Sequence, residues 1–283
     1  MTIFGIGTVV VDHVVELPQM PADDTKVAVT HHWRQLGGPV PVALSTAAFY
    51  GAACKFLGRW GNDDHGRMIE QTLTDRSIDF GCVTADDNWS SGFAHVWVDA
   101  TTGSRTIAFS RGDFPVPDET DVDERSLADC RLLHLDGWAV GAALKAATIV
   151  KANGGRVILD AGSAKPGMKD LLPFVDVLIA SALFRKSQFG TATVAPNVLL
   201  SLTHGSVVTT DGPNGARWIT SDEQLHEPSV DIKAVDTNGA GDIFSGCVLH
   251  GLAQGWRRQA ILKFANRVAG YSCTQRGNYS LPE

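Results

Sequence analysis

From residue 131 onward the chain alternates short apolar runs with longer Ala-rich stretches, and this alternation limits the fold more than any other feature. Leu132-Leu133-His134-Leu135 reads as a strand, 139–152 as a helix and 156–160 as a strand. A strand at 175–179, a helix near 181–188 and a strand at 205–210 follow, and helices at 241–252 and 257–273 come last. Runs this apolar are buried on both faces, and strands joined through helices lie parallel. The predicted fold class is therefore α/β, a central mainly parallel sheet layered between helices. Residues 3–11 read as a further central strand ending at Asp12, 54–57 as a short strand and 64–74 as a helix. A helix over 40–50 is entered through Gly37-Gly38-Pro39, with Pro41 in its first turn, where a missing N–H costs little. The 283 residues suit one such domain spanning 1–283.

Two segments do not fit that sheet. Residues 12–36 mix polar and apolar side chains, with 26–30 as a candidate exposed strand. Within 90–110, two alternating runs, 91–98 and 105–109, flank the turn Ala100-Thr101-Thr102-Gly103. Both segments are expected to form a small separate sheet, a lid inserted in the domain.

The chemistry concentrates in Val235-Asp236-Thr237-Asn238-Gly239-Ala240-Gly241-Asp242-Ile243-Phe244-Ser245-Gly246. Three residues with almost no side chain precede Asp242 and an apolar helix. A helix start with bare amides is an anion site, because its first N–H groups lack partners and the dipole adds partial positive charge. Asp242 is expected to be held ionised there, beside the place a phosphoryl group would occupy. That suits a base taking a proton from a hydroxyl during phosphoryl transfer. The competing reading makes Asp242 a helix cap and the glycines packing residues.

Other constellations are weaker alone. Gly37 and Gly38 before a helix allow a ligand close to the backbone, and Asp12 lies at a strand's carboxyl edge, where open α/β sheets bind ligands. The stretches 58–66 and 209–215 mix glycines with acids or hydroxyls after strands, and both read first as turns. Gly5-Ile6-Gly7 lacks the third glycine of a dinucleotide fingerprint. His31 and His32 point to opposite faces of a strand and cannot share a metal, and His134 reads as a satisfied core histidine.

A net charge of −7 argues against a general nucleic-acid binder. Cys54, Cys82, Cys130, Cys247 and Cys273 are scattered and odd in number, so no disulfide framework or zinc site is indicated, and a reduced cytoplasmic setting fits. The first apolar stretch is broken by Gly5, Gly7, Asp12 and His13 and reads as a strand, not a signal peptide or membrane span.

Read together, Asp236 to Asp242, Asp12, Gly37-Gly38, the 58–66 stretch, the lid segments and Gly212/Gly215 resemble the PfkB (ribokinase-like) family of carbohydrate kinases. The resemblance implies a three-layer α/β/α fold with a small β-lid, and transfer of the γ-phosphoryl group of ATP to a hydroxyl of a small sugar, of ketose or pentose type. It makes Asp242 the general base, with the amides of Gly239, Ala240 and Gly241 as the anion hole. Asp12, Gly37, Gly38, Val42 and Lys26 would meet the sugar. Thr210, Gly212, Gly215, Asn238 and Asn266 would border ATP, which carries Mg2+, and Asp236 would help hold a monovalent cation such as K+.

Departures bear on specificity. Val42 stands where many relatives have a sugar-binding Asn, and Ser181-Ala182-Leu183-Phe184 lacks the carboxylate that organises Mg2+. The chain leans toward the ketohexokinase-like and sulfofructose kinase-like branches, but Gly137-Trp138 carries no cation where a sulfonate-binding arginine would stand. Two alternatives follow: a nucleoside kinase whose base stacks on Val42, Phe93 and Trp97, or a catalytically weak sugar- or nucleotide-binding protein. The lid's strand edges also invite a homodimer through the lid.

Overall fold

The structure is a computed structural model and describes residues 1–81 and 83–283, so Cys82 lies outside the described residues. In chain order the strands are β1 (Thr2–Ile6), β2 (Val10–Leu17), β3 (His31–Gly37), β4 (Ala53–Leu57), β5 (Arg59–Gly61), β6 (Ile78–Asp79), β7 (Thr84–Asp86), β8 (Ser91–Asp99), β9 (Arg105–Gly112), β10 (Cys130–Leu135), β11 (Arg156–Ala161), β12 (Val177–Ser181), β13 (Ser206–Thr210), β14 (Ala216–Ile219) and β15 (Gln224–Glu227). The helices are α1 (Pro39–Phe49), α2 (Asp64–Asp75), α3 (Val140–Ala152), α4 (Ala182–Phe189), α5 (Pro196–Leu200), α6 (Ala240–Ala253) and α7 (Arg258–Ser272).

The large sheet runs β15-β14-β13-β12-β11-β10-β1-β4-β6. It is parallel from β13 to β6, as the strand–helix alternation requires, and ends in the antiparallel strands β14 and β15. Its helices divide between two faces. One core gathers Val40 and Leu44 of α1, Ile69 of α2, Ile243 and Cys247 of α6 and Leu262 of α7. The other gathers Ala142 and Ala146 of α3, Phe184 of α4 and Leu199 of α5. Helix α6 reaches α1 closely through Gly246, where a Cβ would stand 2.4 Å from the Ala43 carbonyl oxygen. This contact seats the helix whose first turn carries Asp242.

The second sheet, β3-β2-β8-β9, is the expected small sheet. Its boundaries correct the sequence reading in two places. Residues 3–11 are not one strand: β1 stays in the large sheet, while β2 begins at Val10 and belongs to the small one. A continuous apolar run concealed the break at Gly7-Thr8-Val9, where a Cβ on Gly7 would press on Val40 and Asp136. Residues 26–30 form no strand; the chain enters β3 only at His31.

Register assigns the faces of the small sheet. Asp12 pairs with Gln35 on β3 and Ala94 on β8, and Ala94 pairs with Phe109 on β9. Val10, Asp12, Val14, Glu16, Arg105, Ile107 and Phe109 therefore share one face, since alternate residues of a strand do. This inner face covers residues 236–238 and 276–278. Asn238 Nδ2 donates to Asp12 Oδ2 at 2.9 Å, Arg105 Nη1 donates to Thr237 Oγ1 at 3.2 Å, and Arg276 Nε donates to Glu16 Oε2 at 2.7 Å. His13, Phe93, His95 and Trp97 lie on the outer face, where His13 Nε2 meets His65 Nε2 at 2.8 Å.

Candidate active site

Helix α6 begins in a backbone that only glycine adopts easily: Gly239, its N-cap, has φ 78°. Ile243 N–H makes the first full helical bond, to Gly239 O at 2.9 Å, and Ala240 N–H reaches Thr237 O at 3.4 Å. Among the described residues the amides of Gly239, Gly241 and Asp242 donate to nothing in the protein. A Cβ on Gly241 would meet only open space. The anion hole expected from the sequence therefore differs by one donor, because Asp242's own amide is free and Ala240's is engaged.

Asp242 titrates the opposite way from the expectation of a helix-stabilised carboxylate. Burial drives its carboxyl up to about 8, and the nearby acids Asp160 and Asp12 raise it further, while Arg105 and Lys165 oppose the rise. Its side chain is only half-covered, so solvent in the cleft moderates the rise without reversing its direction. The half-charge of a helix end is too weak to offset loss of water when no protein donor touches the carboxylate.

Three further acids converge. Burial raises Asp12 to about 6, against hydrogen bonds from Asn238 and Gln35. Asp160, at the end of β11, is likewise held at about 6 by burial and accepts from Ser245 Oγ at 2.7 Å. Asp136, just past β10, accepts from the amides of Thr8 and Trp138 at 2.9 Å each, and Lys165 Nζ donates to its carbonyl oxygen at 2.6 Å. No local pattern marks these two acids or Lys165: single polar residues after apolar strands look like ordinary turn caps. Lys165 also supplies a cation close to Gly137-Trp138, where none was expected.

The glycines before α1 are required. A Cβ on Gly37 would stand 2.2 Å from Asp12 Oδ1, and one on Gly38, at φ 101°, would stand 2.2 Å from Thr8 O. Asp12, Gly37 and Gly38 are thus one unit, facing Asn238. That contact places Asn238 on the lid side instead of the nucleotide side where the sequence reading put it. Val42 is only 3% exposed within the α1–α6 core and offers little surface to a ligand. Lys26 is exposed in the irregular segment before β3. Asp236 is buried, which raises its carboxyl, and both its oxygens are engaged: Asn238 N–H at 2.8 Å and Gly277 N–H at 3.1 Å.

The other expected group gathers at the far end of the sheet. Thr210 ends β13, Gly212 and Gly215 turn into β14, and a Cβ on Gly215 would stand 2.1 Å from Glu227 O. Asn266 Nδ2 donates to the same carbonyl at 2.9 Å and to Pro228 O at 3.2 Å. Buried Arg185, missed in the sequence, pairs with Asp211 and donates to Ala180 O at 2.9 Å, bracing this turn. Phe184 is buried in the core while its amide donates to Ser181 Oγ at 2.9 Å, so residues 181–184 cap α4 and present no ligand for a cation.

The profile of pfkB family carbohydrate kinases matches residues 3–283. This chain belongs to that family. Members of the pfkB family are phosphotransferases acting on sugar hydroxyls. Among its curated relatives, the deoxyribokinase of Salmonella typhi is 26% identical over 99% of this chain and 95% of its own length. The ketohexokinase of Mus musculus is 24% identical over 97% of each. Solved structures share the fold of this pfkB member. An Arabidopsis thaliana ribokinase complexed with ribose and ATP superposes with a TM-score of 0.82 at 22% identity, over 99% and 95% of the two chains. An E. coli structure in complex with ATP and Mg2+ reaches 0.83 at 25% identity, over 98% and 94%.

Proposed function

We propose that this pfkB-family protein transfers the γ-phosphoryl group of ATP to a hydroxyl of a small sugar, of ketose or pentose type, with Asp242 as the base. One observation carries the reading. A carboxyl with no protein donor stands at a helix start whose amides are free, facing Asp12 and Gly37-Gly38 across the cleft. A cap would accept hydrogen bonds; this carboxylate, once it has lost its own proton, is free to accept one from a hydroxyl. The free amides of Gly239, Gly241 and Asp242 would stabilise charge developing on the phosphoryl group. Asp12, held by Asn238 and Gln35, would accept from sugar hydroxyls.

ATP would lie along Gly212, Gly215 and the end of β13. The 181–184 turn does not fit Mg2+, so the metal would arrive on the nucleotide, where it neutralises phosphate charge. We assign Asp236 to holding the 236–238 loop against Gly277, since each of its carboxylate oxygens accepts a backbone amide. The three residues expected to stack a nucleoside base do not come together, since Phe93 and Trp97 face outward and Val42 is in the core, which favours a sugar as acceptor. The free edges β3 and β9 would support a homodimer through the lid, which sedimentation velocity would detect. No helix among the described residues is long and apolar enough to cross a membrane.

ATP-dependent phosphate transfer measured across sugars and nucleosides tests the reading. Turnover with a sugar is expected. Turnover with nucleosides alone, or with nothing, would overturn it.

A further inference from the structure

The inner lid face carries four charged residues near the cleft, and three of them are accounted for. Glu16 is paired with Arg276, Asp12 is held by Asn238 and Gln35, and Arg105 donates to Thr237 and faces the acids of the site. The fourth is Arg111. Ser91 pairs with Gly112 and Phe93 with Ser110, so Arg111 lies opposite Gly92 and on the same face as Phe109 and Asp12. A Cβ on Gly92 would be 3.0 Å from Val10 Cγ1 and 3.1 Å from the Arg111 carbonyl carbon, so a glycine is what lets β9 and the Arg111 backbone pack this closely on β8. The guanidinium leans back along the inner face, 4.9 Å from the Phe109 ring centre. Among the described residues it has no hydrogen bond and no acid within ion-pair distance, and its Nε is buried without a partner.

A guanidinium remains charged and is costly to cover without an acceptor, and its planar fork matches carboxylate, sulfonate and phosphate oxygens. Position along the lid decides which end of a substrate it would meet. Arg105 lies toward Thr237 and Asp242, whereas Arg111 lies beyond Asp12 in the opposite direction. The offset from the Asp12 rank is one side-chain repeat, about 7 Å. The ATP side, at Gly212 and Gly215, is reached through β13 and β14, at the other end of the large sheet. An acceptor whose hydroxyl points at Asp242 and whose middle rests on Asp12 therefore extends its far end toward Arg111.

We propose that the acceptor is an anionic sugar, bearing a carboxylate, sulfonate or phosphate at the end remote from the reacting hydroxyl, and that Arg111 binds that group. Arg111 determines specificity and takes no part in the chemistry. The proposal rests on the sugar-kinase reading of the site.

The test separates the two. Thermal shift with a non-hydrolysable ATP analogue compares neutral ketoses and pentoses with uronates, sulfonated sugars and sugar phosphates, for the wild type, Arg111→Gln and Arg111→Lys. Phosphate transfer is then measured on the sugars that bind. Anionic sugars should stabilise the wild type more than their neutral parents. Arg111→Gln should raise KM for them roughly 10- to 100-fold, the loss expected for a charge-assisted contact, with kcat little changed. Arg111→Lys should restore part of the affinity, and KM for neutral sugars should not move. The three anion types distinguish a flat carboxylate from a tetrahedral group. Tight binding and turnover of neutral sugars alone would overturn this proposal and leave the kinase reading intact, as would equal losses for neutral and anionic sugars in Arg111→Gln. Arg111-dependent binding of anionic sugars without any phosphate transfer would overturn the kinase reading and keep the anion site.

Discussion

Two aspartates stand at helix starts in this molecule and titrate in opposite directions. Asp63 caps α2: its Oδ1 accepts Gly66 N–H at 2.8 Å and Ser91 Oγ at 2.7 Å, and its Oδ2 accepts Ser91 N–H at 2.8 Å. Burial pushes its carboxyl up, but the Ser91 and Gly66 donors win and hold it below the usual carboxylate range. Asp242, in the first turn of α6, receives no such donor, and burial pushes it up to about 8. Proximity to a helix end does not fix the charge of a carboxylate; short-range donors do. One acid is spent on structure, and the other is left available for chemistry.

The sharpest way to break the comparison is to remove each acid. Asp242→Asn should lower kcat roughly 10²–10⁴-fold, the contribution of a general base, while sugar binding is retained. Asp63→Ala should leave kcat unchanged and cost about 1–2 kcal/mol of stability in urea unfolding, as loss of a helix cap does. Exchanged outcomes would exchange the roles.

Stability against pH tests the same contrast with its signs. The folded-state carboxyl of Asp242 lies above its ordinary value of 3.8, so the stability it contributes is complete below that value and is lost as pH rises toward about 8. Asp242→Asn should therefore match the wild type near pH 4 and have the higher Tm at pH 8. Asp63 is depressed, so its contribution is present above 3.8 and is lost as pH falls through its lower folded value. Asp63→Ala should lose its deficit only in acid.

A smaller effect concerns the like charge beside Asp242. With wild type, kcat/KM should rise with pH as Asp242 loses its proton. Asp160→Asn removes a group that holds that proton on, and should move the rising limb toward acid. A limb that stays in place would remove Asp160 from the electrostatics of the base.

The sequence made the layered sheet and the start of α6 legible because each rests on local pattern: apolar runs, small residues, a helix-period stretch. It misplaced what depends on pairing. Asp12 seemed to end a central strand because nothing in residues 3–11 marks the crossing from one sheet to the other. Phe93 and Trp97 seemed able to stack a nucleoside base until register with β2 turned them outward, and Arg111 went unnoticed for the same reason. Asn238 lay in a motif read by its order, while its side chain answers to Asp12, 226 residues away in sequence. Asp136, Asp160 and Arg185 carry no local mark; burial and partners make them matter, and both appear only when the strands are assembled.

The lid hairpin touches the motif loop through Gly103, whose carbonyl accepts from Thr237 Oγ1 at 2.9 Å, and through Arg105. This contact ties two separate elements together. Arg105 is among the charges that favour loss of the Asp242 proton, and it stands on β9 of the small sheet, not on α6. The helix that carries the acid therefore does not set its charge alone: a change in β9 would reach the carboxyl without touching α6.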